Sequence, residues 1–249
     1  MAKLKQLLGV IIGIHLVWWL VAILLNRSIL PGPVTVYAAF PSLWQAQIGW
    51  HIYFSLYRLF WSLLIATVIG VLTGMAIVRF PRLGRVLDPL IYLTYPIPKI
   101  AFLPVAMLLF GLGDLSKIIM ISFIVVFQVI ISVRDHVAAI PASLYQTFAT
   151  LDANRWELFR FITWPASITG IISALRIALG TAIATLFFTE VYGTNYGLGY
   201  FIMDAWNRLD YPGMYAGIIV ISVVAFCLFA LLNAIERLTV KWQKDEINA

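Results

Sequence analysis

Charge is what this chain has least of. Only 11% of its 249 residues are charged, against about 25% in an ordinary soluble domain. Cysteine is nearly missing: Cys227 stands alone, which excludes an intramolecular disulfide and a thiolate-held metal. Three scattered histidines, His15, His51 and His136, do not supply a metal site instead. No polar stretch is long enough to carry its own core, so a separate soluble domain is excluded and one membrane domain over 1–249 is expected. A nucleotide cradle is missing as well. GTNYGLGY at 193–200 lacks the Gly-Lys-Ser/Thr ending of a P-loop and follows no strand, and GLGDLSK at 111–117 departs from that spacing. The first is expected as a tight re-entrant or outer-side turn, the second as a plain connection between spans. The chain is therefore not expected to be an enzyme or to hold a cofactor. What is there in quantity is apolar: 62% of the residues are hydrophobic and the mean hydropathy is +0.95. That is the composition of an all-α, multi-span membrane protein.

A spanning helix needs about 20 mostly apolar residues. Six stretches qualify, at roughly 8–26, 54–78, 87–110, 115–133, 166–190 and 213–235. The first is too long for a cleaved signal peptide and no small-x-small site follows it, so it is read as a retained helix. Lys3, Lys5, Arg79, Arg82, Arg85, Arg134, Arg155, Arg160, Arg237, Lys241 and Lys244 share one side if the spans alternate, leaving mainly Arg27, Lys117 and Arg208 opposite. The positive-inside rule places both termini in the cytoplasm. The same asymmetry explains the net charge of +6 without invoking nucleic acid, which would need a basic patch on a soluble face.

Two features of the spans leave alternatives open. TYPIPKIAFLP, with Pro96, Pro98 and Pro104, must break or kink the third span. Either 87–95 lies along the membrane surface and the span starts near Pro98, or one bent helix runs throughout. Ala66, Gly70 and Gly74 recur at every fourth residue, as do Gly170, Ala174, Ala178 and Ala182. Such spacing permits close helix contact in lipid, either in general bundle packing or at a dimer seam or pathway.

The segment FATLDANRWELFRFITWP, 148–165, interrupts the apolar pattern. Between Pro141 and Pro165 two short helices are expected, with Pro141 in the first helical turn. Asp152 suits the left-handed residue that ends the first helix. Asn154 and Glu157 have the spacing of a capping box for the second. Trp156, Phe159 and Phe161 make that second helix aromatic, and Pro165 stands where the fifth span begins. An amphipathic pair of this kind either lies on lipid headgroups or docks into a groove of a cytoplasmic protein.

This segment resembles the signature loop of permease subunits of ATP-binding-cassette importers. Aligned on Pro165, Asp152 stands at the family's Gly and Ile162 is in register. Gln146, Thr147 and Phe148 replace its Glu-Ala-Ala, and Trp164 replaces its Leu. LPGPVTVYAAF at 30–40, LDPLIYLTYPIPKIAFLPVAMLLFGLGDLSKI at 87–118, ITWPASITGIISALRIALG at 162–180 and TEVYGTNYGLGYFIMDA at 189–205 are similar to the nitrate/sulfonate/taurine branch. The resemblance implies a type I importer permease in the bacterial inner membrane, with a permease core at about 54–236 and a coupling loop at about 141–165. It implies a homodimeric or pseudo-dimeric pore, with a second permease copy as the default, a dimer of ATPase subunits that bind the ATP, and an extracytoplasmic solute-binding protein. Gln146, Phe148, Leu151, Asp152, Asn154, Arg155, Trp156, Glu157, Phe159 and Arg160 would then face the ATPase.

Ionisable groups inside spans are costly and mark candidate sites. Lys99 either offers a cation to an anionic solute or snorkels to the interface. Glu190, at an acidic position of the family, either shapes an outer gate or forms a structural ion pair. Tyr95 and Lys99, with Glu190, are the pathway candidates. Arg176 is expected in an ion pair, and Arg58 against headgroups. Of the other classes, a secondary transporter would favour inverted repeats, which the two halves do not show. A membrane enzyme would want a catalytic cluster at one depth, and none is found.

Overall fold

The computed structural model describes residues 2–94 and 96–239. Among them every regular element is a helix: α1 (Ala2–Leu25), α2 (Pro33–Ala38), α3 (Phe40–Gln45), α4 (Ile48–Arg79), α5 (Pro81–Thr94), α6 (Leu103–Phe110), α7 (Asp114–Ala138), α8 (Ala142–Ala149), α9 (Arg155–Leu158), α10 (Trp164–Glu190), α11 (Leu198–Asn207) and α12 (Tyr211–Thr239). A 3₁₀ turn, Lys99–Phe102, leads into α6, and a π turn, Phe159–Thr163, joins α9 to α10.

Among the described residues four helices are long and apolar enough to cross a membrane, α4, α7, α12 and the continuous α9–α10, or five if the bent pair of the third segment counts as one span, where the sequence suggests six. α1 adds a shorter apolar stretch, Gly9–Leu25. α4 starts at Ile48 rather than 54, because hydropathy marks the lipid-crossing part and the helix continues through Trp50, His51 and Tyr53, residue types suited to the membrane interface.

The third apolar segment is broken. α5 and Lys99–Phe110 meet at 87°. Pro96 and Pro98 each remove an N–H and push the preceding residue out of helical geometry, so no helix can traverse TYPIP. The bent continuous helix is thereby corrected to two helices.

The chain divides into two compact units. One holds residues 1–55 and 194–224, the other 56–193 and 225–249. In the first, Val36, Leu43, Ile48, Leu198, Phe201 and Ala216 form a buried core flanked by Trp18 and Tyr215. The Trp18 indole donates to the Pro31 carbonyl at 3.1 Å. Gly197 has φ +139°, and its N–H donates to Nδ1 of buried His51 at 3.1 Å. The Leu198 N–H, unsatisfied within α11, donates to Ser55 Oγ at 2.8 Å.

In the second unit α7 is the central helix. Val125, Val129 and Val133 are wholly buried against Ala66 of α4 and Ala174, Ala178 and Ala182 of α10. A Cβ on Gly70 would lie 2.6 Å from Val129 Cβ, and one on Gly170 would lie 2.6 Å from His136 Cβ. On Gly74 it would stand 2.9 Å from the Ile130 carbonyl oxygen. Both small-residue stripes therefore face α7 within the chain, which is bundle packing and leaves no stripe over for a dimer seam. Ser62 Oγ donates to the Ile118 carbonyl at 3.2 Å, and Ser122 Oγ to the Ser62 carbonyl at 3.1 Å. α5 is held to α7 by Arg134–Asp88 at 2.7 Å.

Candidate functional site: an elbow, an ion cluster and a cavity

The elbow begins at α8. Pro141, with φ −59° and ψ 131°, caps the helix from outside instead of entering its first turn. At the other end Asp152 has φ +53°. The Asp152 N–H donates to the Ala149 carbonyl and the Ala153 N–H to the Phe148 carbonyl, both at 3.2 Å. These paired bonds are a Schellman ending with Asp152 at its left-handed position. Two residues on, Asn154 Oδ1 accepts from the N–H groups of Trp156 and Glu157 at 3.0 Å. Glu157 Oε2 accepts from the Asn154 N–H at 2.7 Å, completing the capping box. The expected chain reversal and restart are both present.

Beyond α9 the helix does not stop at Pro165. Proline removes one backbone donor and crowds the carbonyl four residues back. The wider π turn at Phe159–Thr163 lies just there, so Arg155–Glu190 runs as one helix of 36 residues. Gln146, Leu151, Asp152, Asn154, Arg155, Trp156 and Arg160 are exposed, and Phe148, Glu157 and Phe159 are half-buried. Trp156, 65% exposed, stacks on Phe159 with ring centroids 5.6 Å apart. Tyr145 Oη and Thr163 Oγ1, 3.0 Å apart, tie α8 to the π turn. A cavity of about 830 Å³, with Met75, Arg79, Tyr145, Arg155 and Phe159 in its wall, separates the elbow from the end of α4.

A second feature is ionic. Arg58, Lys117 and Glu190 are 1%, 0% and 0% exposed. Arg58 reaches Glu190 Oε1 at 2.6 Å and Asp114 Oδ1 at 2.7 Å. The Lys117 ammonium donates to the carbonyls of Leu112, Gly113 and Gly193 at 2.7, 3.2 and 3.0 Å. Arg58 thus corrects the headgroup expectation: it is desolvated and held by two carboxylates. Lys117, read as a loop cation in the sequence, is instead the clamp on two turns, Gly111 (φ +81°) and Gly193 (φ +62°) lying beside it. Arg176 pairs with Glu236 at 2.5 Å, as expected.

The third feature is a cavity of about 340 Å³ walled by the break before α6, by α7 and by α10. Lys99 borders it, donating to the Thr94 carbonyl at 2.8 Å, with its ammonium 4.9 Å from the Phe127 ring centroid. Gln128 Nε2 donates to Thr181 Oγ1 at 3.1 Å, and Gln128 Oε1 is buried with no partner among the described residues. An orphan oxygen of this kind costs about 1–3 kcal/mol. Tyr95 lies outside the described residues. Gln128 and Thr181 escaped the sequence reading because uncharged polar residues inside spans carry no alarm.

The fold and these features define a polytopic helical membrane subunit built for transport. The profile of the family described as "Binding-protein-dependent transport system inner membrane component" matches residues 66–241. The chain belongs to that family, as a permease subunit of an ATP-binding-cassette importer. The taurine transport system permease protein TauC of Escherichia coli (strain K12) is 30% identical over 96% of this chain and 90% of its own length. The nitrate import permease protein NrtB of Synechococcus elongatus is 27% identical over 82% and 78%. The riboflavin transport system permease protein RibX of Chloroflexus aurantiacus is 26% identical over 95% and 90%. Among solved structures, an inward-facing MetNI methionine ABC transporter chain matches with a TM-score of 0.65 at 19% identity, covering 80% of this chain and 98% of that one.

Proposed function

We propose that this chain, acting as a single permease domain over 1–249, forms the translocation pathway for a small solute, either anionic or a vitamin precursor. A solute-binding protein delivers the solute from outside a bacterial inner membrane, and a second permease copy completes the path. ATP is bound and hydrolysed by a separate ATPase dimer. The solutes named for the relatives support the substrate class, and the one-sided basic residues support cytoplasmic termini and a cytoplasmic elbow.

The observation that carries the coupling role is the doubly capped elbow running without interruption into α10. Gln146, Phe148, Leu151, Asp152, Asn154, Arg155, Trp156, Glu157, Phe159 and Arg160 form the docking surface for the ATPase. Trp156 and Phe159 are its aromatic knob, a form suited to helix-in-groove recognition. Lys99 and Tyr95 contact the passing solute, and Glu190, anchored by Arg58, shapes the outer gate.

Trp156→Asp tests the docking role. It leaves membrane insertion intact and abolishes both solute uptake and stimulation of the ATPase by the permease in proteoliposomes. Normal uptake by this variant would refute the role.

A further inference from the structure

We propose that the cavity between the elbow and the end of α4 seats one anionic phospholipid of the inner leaflet, its phosphate held by Arg79 and Arg155 and an acyl chain laid along α4. The proposal rests on the proposed cytoplasmic placement of the elbow and adds to it a ligand of stated charge and shape.

The wall has the two chemistries of a lipid, in the right order along the span. Leu72, Met75 and Val78 of α4, Val137 of α7 and Leu158 of α9 make it apolar. Arg79 is the last residue of α4, at the end of a span, where headgroups stand. From there to Leu72 the wall follows α4 inward for about 10 Å, at about 1.5 Å per residue. A recess that is apolar along the span and basic at its end suits a chain pointing inward and a phosphate at the interface.

The charge in the wall is of one sign. No carboxylate lines the cavity among the described residues, and neither guanidinium has a carboxylate partner among them. Arg79 lies over the Phe80 ring, 5.8 Å from its centroid, a contact that leaves its charge in place. Arg134, near the same end of α7, is by contrast taken up by Asp88 and Asp135. Tyr145 and Thr163 also line the cavity but are bonded to each other, so recognition of the anion falls to the two guanidiniums, whose planar forks match phosphate oxygens. The volume of about 830 Å³ takes a headgroup and the upper part of a chain, and a free phosphate would leave the apolar depth to water. The wall includes Leu158 and Phe159 but not Trp156, so the cavity does not open on the aromatic knob offered to the ATPase. A lipid seated there braces the elbow against α4.

The test is photo-crosslinking in the complete importer, reconstituted in phosphatidylethanolamine vesicles. These carry either phosphatidylglycerol or phosphatidylcholine with a diazirine near the carbonyl end of one chain, and labelled peptides are read by mass spectrometry. The phosphatidylglycerol probe is expected to label 72–80 and 137–145, the cavity's stretches of α4, α7 and α8, at least about tenfold more than the phosphatidylcholine probe, as two basic contacts imply. Arg79→Gln should lower that labelling about fivefold, and Arg79→Lys should keep most of it. Ala76→Phe, which fills the cavity from α4, should lower it with both charges intact. Equal labelling by the two probes, labelling that survives both Arg79→Gln and Ala76→Phe, or no labelling because the ATPase or a second copy covers the wall would each overturn the site. Displacement of the label by millimolar glycerol phosphate would also overturn it, in favour of a soluble anion. A carboxyl-terminal tag cleaved from outside intact cells would instead sink the cytoplasmic placement, so the two failures are told apart.

Discussion

Arg58 is ion-paired with Glu190 at 2.6 Å and with Asp114 at 2.7 Å while only 1% exposed. Removing one member of such a set strips a buried charge of part of its compensation, at a cost of up to about 3–5 kcal/mol. Arg58→Met and Glu190→Gln are each expected to lower the unfolding midpoint of the solubilised protein by several degrees. Arg58→Met combined with Glu190→Leu should recover part of the loss, because both charges of that contact leave together. If Glu190→Gln unfolds with the parent, the cluster is not structural. Asp152 poses the opposite question, of backbone rather than charge. At φ +53°, Asp152→Gly relieves strain and should preserve stability and coupling. Asp152→Val, β-branched in the left-handed region, should cost about 1–2 kcal/mol. Proteolysis of the elbow reads the difference; a harmless valine would mean that the turn can form another way.

At the scale of elements, the close helix contacts make a sharp distinction between glycines. Gly74→Ala places a methyl group 2.9 Å from a backbone oxygen of α7, which cannot step aside as a side chain would, so overpacking of about 1–3 kcal/mol is expected. Gly49→Ala, with nothing within 4 Å, should be neutral in the same denaturation assay. Equal effects from both would put α4 and α7 farther apart than described. The elements themselves are largely legible in the sequence, because spans announce themselves by hydropathy and the capping box by residues three apart. The ion cluster is not legible: Arg58, Asp114, Lys117 and Glu190 belong to α4, α7 and α10 and meet only through packing. Nor is the continuity of α9 into α10, since Pro165 reads as the start of a separate span and only the π turn before it lets one helix pass through.

For the whole molecule, the family membership and the elbow yield a prediction about energy supply. Uptake by the reconstituted importer should cease when the ATPase subunits are inactivated and persist when the ion gradient is collapsed. Dependence on the gradient alone would mark a self-sufficient carrier. On the proposed cytoplasmic placement of the termini, a tag at the carboxyl terminus should be cleaved by protease added to inverted vesicles and protected in spheroplasts. Cleavage in spheroplasts would reverse the orientation and place the elbow where no nucleotide is supplied.

The unbroken Arg155–Glu190 helix is about 54 Å long and, on the proposed coupling role, would act as a crank. Rocking its base by about 5° swings the far tip by about 5 Å over that length, comparable to the pitch of one helical turn. The tip carries Glu190, whose grip on Arg58 would have to yield or travel with it. On the proposed coupling role, a nudge of atomic dimensions at one membrane face would become a displacement wide enough to admit a small molecule at the other.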